Sequence, residues 1–477
     1  MALDPCAGGA ADGSGTSISV CRVNEPVSNT PWLYLLPNEV GTWGASLDTT
    51  SSQPLSLDRM ARKGAIVSLS AEAQITCDQN IDMLAYFCDA LLFSVWKGNN
   101  PNATASTAVT TSGYTVVSGG TSFVQGDKVF AAGFDIESNN GLKTVGSGST
   151  STNIAVTGLS AESSGGRLYK AGRTATAGDI EMDANGNLTS TSLDFSALGL
   201  VEGMHIAFSG MSSTADGTAR IRAIDDNILT LDRHSGVVAA TSPAGAVTLY
   251  IGSFVRNVPM GDPDYQCVPM TLEARYNTDP ANFEYGTGML LNQIAFGNSL
   301  EDKTTMELSF TGQDMEPMTE TRKPGQWFDQ TRTEIFNTSA DFADLRLFIA
   351  GDTSGETSYF KDTTLTVNNN LTGETVLGKL GAQFINLGNF EVMIETEVVL
   401  TDTRVAAAIR NNTTCGLQYV QQNNEGAILV DIPSMTLGDG ARNIAAGEKV
   451  KISTSGTAFK DSDLGYAVGF TLFPYLP

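Results

Sequence analysis

The chain of 477 residues sets 28 basic against 52 acidic side chains, a formal charge of −24, which argues against a surface built to grip nucleic acid or an anionic membrane. At 41% hydrophobic and 17% charged it can bury cores, so a disordered chain and a charged coil are both excluded. Its 49 glycines and abundant Ser, Thr and Asn favour many turns and short strands, and the length allows roughly two to four domains. In chain order, residues 1–20 show neither a basic region nor a continuous apolar stretch, so no secretory signal is expected and the chain is expected to stay in the cytoplasm where it is made. No segment approaches the roughly 18 consecutive apolar residues of a membrane span, Met83 to Trp96 being interrupted by Cys88, Asp89 and Ser94. The cysteines (Cys6, Cys21, Cys77, Cys88, Cys267, Cys415) lack CxxC pairing and are expected as buried free thiols.

Val67 to Ile75 alternates apolar and polar residues and predicts a half-buried strand. A helix follows, with Ile81, Leu84, Cys88, Leu91 and Leu92 on one face and Asp78 or Thr76 as its cap. From about Thr104 to Ser253 helix periodicity is lost and Gly, Ser, Thr and Ala dominate, the mark of an inserted β-rich domain. The insert contains a repeat. Phe123 to Phe134 aligns with Leu200 to Met211 at an offset that carries Gly126 onto Gly203; Asn140-Gly141 then answers Asp216-Gly217, and Ile154 to Val156 answers Ile228 to Thr230. Two small β lobes are expected, about 104–172 and 173–253, projecting as surface modules between body segments 1–103 and 254–477.

Beyond the insert, strands are predicted at Thr304 to Thr311, Thr363 to Asn368 and Leu464 to Leu472. A second helix is predicted at Phe342 to Ile349, capped by Ser339 or Asp341, with Phe342, Leu345, Phe348 and Ile349 as its apolar residues. The flanks are expected to close into one antiparallel body.

Catalysis has little material. His205 and His234 both lie in the Gly-rich insert, and no enzyme is expected. Gly373 to Lys379 approaches a phosphate loop, but Leu380 stands where the magnesium-binding Ser or Thr would be, so a hairpin turn is read instead. Asp183, Asn185 and Asn187 imitate a calcium loop with its glycine out of place, and a turn at Asn185-Gly186 is expected. No catalytic, cofactor-binding or metal-binding residue is assigned. The most suggestive strand is Phe390 to Leu400, which puts Phe390, Val392, Ile394, Val398 and Leu400 on one face and Glu391, Glu395 and Glu397 on the other. Carboxylates side by side along one strand suit a plain solvated face or a functionally acidic surface better than a glycosidase or metal site, which needs carboxyls opposed across a cleft.

Taken in order, these flanks resemble the tail tube (major tail) proteins of bacteriophages with long non-contractile tails. The resemblance rests on the alternating strand and the helix Asp78 to Phe93, on "FNTSADFADLRLFI" (Phe336 to Ile349), on Leu365 to Asp402, and on a closing strand near the C-terminus. The insert phrase from Gly126 to Val145 also looks like accessory segments of such proteins. The resemblance implies a β-sandwich or half-barrel with a flanking helix, hexameric rings stacked into a tube that conducts DNA to the host, and no cofactor. It implies partners in the tape measure protein and other tail proteins, DNA only in transit, no membrane insertion, and a place in the virion after assembly in the host bacterial cytoplasm. A ring of six would carry roughly −144 charges, which keeps passing DNA from sticking. On this reading Glu391, Glu395 and Glu397, with Glu72 and Glu307 on neighbouring strands, are expected to face the lumen. The N-terminal arm and the loop Thr319 to Thr333 are expected as arms between rings. The alternative is a surface adhesin or carbohydrate-binding β module, with the insert as its working part.

Overall fold

A computed structural model describes residues 13–51, 63–349, 355, 360–399, 403–444, 447 and 449–477. Cys6, Leu400 and residues 1–12 of the N-terminal arm lie outside the described residues. The protein is mainly β, with two α-helices among the described residues, Ile81–Leu92 and Arg404–Arg410. Its contacts divide it into two units, one of residues 1–93, 266–335 and 362–395, the other of 94–265, 336–361 and 396–477.

The first unit contains two sheets that share a strand. In one, Pro37–Thr50, Ala65–Asp78, Thr305–Gly312, Asn282–Asn298 and Phe360–Asn368 lie side by side, all antiparallel. In the other, Pro31–Tyr34, Ser17–Cys21, Met270–Tyr276 and the first half of Asn282–Asn298 pair antiparallel, and Gln326–Phe328 adds a parallel edge. Asn282–Asn298 changes sheets near Gly286 and Gly288, which is how strands turn the corners of a sandwich. Gly288 has φ 62°, a left-handed conformation that favours glycine, and a Cβ there would have to displace the Gln313 side chain.

The helix Ile81–Leu92 is almost wholly buried in this unit. Its Phe87 meets Phe310 edge-on at 6.1 Å, and Tyr86 reaches Val20 O at 3.4 Å. The cap is Asn80, whose side chain accepts from Met83 N at 2.9 Å. Thr76 and Asp78, expected as caps, are the last residues of the preceding strand, because pairing with Thr305–Gly312 holds the chain extended through Asp78.

In the second unit, Phe342–Ile349, Thr414–Asn423 and Gly426–Asn443 form an antiparallel sheet. Successive halves of Gly426–Asn443 then pair with Gly469–Phe473 and Lys451–Ala458. Phe342–Ile349 is therefore a strand and not the expected helix. Leu347 and Phe348 are both buried, so both faces of the strand are covered. A run apolar on both faces has no period that tells strand from helix, and cross-strand bonds to Thr414–Asn423 decide it. The expected cap belongs to a turn instead: Asn337 Oδ1 accepts from Ser339 N and Ala340 N, and Asp341 Oδ2 from Asn337 N. The expected strand at Leu464 to Leu472 begins only at Gly469, since Asp461 and Asn257 hold Leu464, Ala467 and Val468 in a turn.

The two lobes of the repeat share one sheet in this second unit. In the first, Asp127–Ala132 lies between Gly141–Thr144 and Gly166–Thr174; in the second, His205–Ser209 lies between Gly217–Asp225 and Thr248–Ile251. The matching strands Gly166–Thr174 and Thr248–Ile251 then pair antiparallel with each other. The repeat extends to its turns. Asn140 Oδ1 accepts from Phe134 N at 3.0 Å, and its counterpart Asp216 Oδ1 accepts from Met211 N at 2.8 Å. Gly126 and Gly203 take φ 89° and 88°. The second lobe is less separate than a surface module, for Phe254, Leu464 and Tyr466 complete its core.

Candidate functional site

The broad sheet of the first unit is apolar on one face and polar on the other. Ala73, Ile75, Met306, Leu308, Phe310, Ile294, Phe296, Leu365 and Val367 are buried on the first. The second face is read from the strand register, which sets polar residues in rows across four strands. One row is Asp78, Thr305, Gly297 and Thr364; the next is Thr76, Glu307, Ala295 and Thr366; the third is Gln74, Ser309, Gln293 and Asn368. Glu72 lies one step further, opposite Thr311. The period-2 alternation of these strands produces this division, since successive side chains point to opposite faces. No residue in these rows is basic. Gln74 and Glu307 are hydrogen-bonded, Asn368 Nδ2 donates to Gln293 Oε1 at 3.0 Å, and Asp78 pairs with Lys303 at 2.7 Å from beyond the strand end.

The structure thus brings Glu72 and Glu307 onto one face of one sheet. Glu391 and Glu395 are exposed on the strand Glu391–Val399, where Val392, Ile394 and Val398 are buried, the alternation read in the sequence. Glu397 differs from them, being half-buried and paired with Lys451 Nζ at 3.3 Å. It is neutralised, and a free carboxylate row is reduced to Glu391 and Glu395.

The loop Thr319 to Thr333 is bound into the first unit along its length. Glu273, fully buried, accepts from Ser19 Oγ at 2.9 Å, Tyr285 OH at 2.9 Å and Arg322 Nη2 at 2.6 Å. The Arg322 guanidinium lies 3.6 Å from the ring centroid of Trp327, which stacks on Trp32. Asp82, in the first helical turn, accepts from Thr331 N, Thr331 Oγ1, Arg332 N and Arg332 Nε at 2.7–2.9 Å. These bonds hold the Asp82 carboxyl below its ordinary range against the opposing effect of burial. Deleting Gln313 to Gln330 would remove Arg322 and Trp327 from this knot, so it would unfold the unit and would not probe contacts between copies.

In the second unit Asp431, fully buried, accepts from Arg220 Nη1 at 3.2 Å, from Arg233 and from Tyr466 OH at 2.8 Å. Burial alone would raise its carboxyl, but Arg233 and Arg220 overcome that and push it well below the usual range. Arg220 also holds Asp232 at 2.7 Å, and Arg233 lies 4.2 Å from the ring centroid of Phe348. The cluster joins the second lobe to the C-terminal segment. Its sequence signal is an aspartate inside the apolar run Ala427 to Ile432, which demands a buried cation, though no spacing names the arginines some 200 residues earlier.

Cys21, Cys77, Cys88 and Cys415 are buried and unpaired, whereas Cys267 is exposed. The Gly373 to Lys379 segment is a hairpin between Thr372–Thr375 and Ala382–Asn386. Asp183 Oδ1 accepts from Asn185 N and Asn187 N at 2.8 and 2.9 Å, which makes that segment a turn. Among the described residues no three His, Cys, Asp or Glu side chains converge as a metal site, and no helix is long and apolar enough to cross a membrane.

Residues 235–458 match the family model described as phage tail tube protein, a little under half of the chain. The match includes Glu307, Glu391, Glu395 and Glu397 but not Glu72. No curated protein matches the chain.

Proposed function

We propose, from the match of residues 235–458 to the phage tail tube protein family, that this chain is a structural protein of a phage tail and is the tube subunit itself. Copies close into rings, hexameric as the family resemblance implies, and the rings stack into a tube assembled in the host cytoplasm around the tape measure protein. The observation that carries the reading is the polar face of the broad sheet, whose rows hold no basic residue and present Thr, Ser, Gln and Asn with Glu72, Glu307 and Asp78 as their charges, Asp78 being paired with Lys303 from beyond the strand end. A conduit wall must not bind what it conducts. DNA affinity rises with every Lys or Arg that displaces a phosphate counterion, so a wall without them lets the duplex slide, and carboxylates add repulsion. Glu391 and Glu395 belong to the same lumen surface, and the insert lies on the outside of the tube.

The test is electron microscopy and sedimentation of the purified chain, followed by substitution of Glu72, Glu307, Glu391 and Glu395 by Lys in phage. Tubes or rings support the subunit role. The Lys variants are expected to build tails of normal length that deliver DNA poorly, and normal infectivity from such tails would sink the lumen assignment. Glu397 is left out because a lysine there would face Lys451 and test stability instead.

A further inference from the structure

The first unit carries an exposed apolar knob and an open groove toward opposite ends of one strand. The knob is the tip of the hairpin Thr372–Thr375 and Ala382–Asn386, where Val376, Leu377 and Leu380 are exposed, Leu377 completely, with Phe384 exposed on the return strand. Leu380 O accepts from Leu69 N at 3.0 Å and Gln313 O from Ala382 N at 3.1 Å, which seats the hairpin near the Leu69 end of Ala65–Asp78. The groove, about 1080 Å³, opens around the other end, lined by Leu36, Pro37, Val40, Trp43, Tyr34 and Asp78. Leu69 and Asp78 are about 30 Å apart along an extended strand.

Large apolar side chains gathered on one exposed tip mark a contact surface, since isolated ones are common on protein surfaces and clustered ones are not. The charges match as well. The knob bears Lys379 and Glu374; the groove wall bears Glu39 and Asp329 with Arg275, so each charge has an opposite to meet. Exposed pairs of this kind add orientation more than affinity. A patch and its complement at different places on one molecule make a heterologous contact, which repeats from copy to copy and closes into a ring or continues as a stack.

We propose that the Val376–Leu380 tip of one copy inserts into the Leu36/Val40/Trp43 groove of the next, so that this knob and groove form a joint between subunits of the tube. The inference rests on the tube reading and names which surfaces join. Leu377 makes its free energy of burial only in the assembly, so Leu377→Asp leaves the melting curve of the isolated chain unchanged and weakens each joint by about tenfold or more. The polymer fraction in sedimentation falls accordingly, and Leu36→Asp on the groove side does the same.

The direct test places a photo-reactive benzoyl-phenylalanine at position 377 in a mixture of isotopically labelled and unlabelled chains. Cross-links from position 377 to residues 34–43 or to Asp329 of the other isotopic copy are expected. Tubes of normal length from Leu377→Asp, cross-links elsewhere, or a groove cross-linked to another segment of its own chain would overturn the joint while leaving the tube reading in place. Absence of both polymer and inter-copy cross-links from the otherwise unaltered chain would defeat both.

Discussion

His205→Phe is expected to make the second unit less sensitive to acid. His205 is fully buried in the strand His205–Ser209, and neither ring nitrogen has a hydrogen-bond partner. Burial pushes its pKa down to about 4; Asp431 and Asp232 pull it up, while Arg220 and Arg233 press it further down. In the unfolded chain the same imidazole titrates near ~6.5, so between the two values the unfolded state takes up a proton that the folded state refuses. The stability supplied by the neutral ring is therefore complete above about pH 6.5 and is lost as pH falls toward 4. At about 1.4 kcal/mol per pH unit, the loss at pH 4 comes to roughly 3 kcal/mol. Phenylalanine keeps a ring of similar shape and removes two polar atoms that lack partners, so at neutral pH the variant should be at least as stable as the parent. Urea unfolding of both proteins at steps between about pH 7 and pH 4 reads the difference. His234, whose pKa burial also lowers, stays in both proteins and cancels. Parallel pH curves for parent and variant would refute the reasoning, because they would mean that His205 takes up its proton equally in both states.

Asp431→Ala strands two buried guanidiniums. Arg220 keeps Asp232, and Arg233 keeps Pro433 O at 3.0 Å and the face of Phe348, so the cost should be about 3–5 kcal/mol, read as a lowered urea midpoint at neutral pH. Because Arg233 and Arg220 hold the Asp431 carboxyl well below its ordinary value, its stabilisation is complete above about pH 4 and declines only in stronger acid, which separates it from the His205 effect. Asn80→Ala removes the N-cap of the first helix and the bond from Asn80 Nδ2 to Gln330 Oε1 at 2.8 Å, a loss of about 2 kcal/mol measurable by thermal unfolding.

Local periodicity made much of this architecture legible. The alternation at Val67 to Ile75, Thr304 to Thr311 and Thr363 to Asn368 marks strands and tells which residues of each share a face, whereas the expectation that Glu72 and Glu307 share one surface came from the family resemblance and needed the strand register to be seen. The repeat was legible down to its turn residues, because Asn140 and Asp216 do the same local work of bonding a backbone amide a few residues back. Where local pattern is ambiguous, as in the doubly covered run Phe342 to Ile349, the strand partner chose the conformation.

What the sequence by itself determined is therefore whatever depends on near neighbours, the mainly β character, the first helix and the two related β segments of the insert, together with a net acidic charge. The tertiary structure decided which distant charges meet. Asp431 finds Arg220 and Arg233, Glu273 finds Arg322, and Lys451 takes Glu397 out of the carboxylate row. Periodicity records which way a side chain points, a property of the backbone at that residue, whereas an ion pair requires two remote segments to arrive at one place, which packing of the whole unit alone arranges.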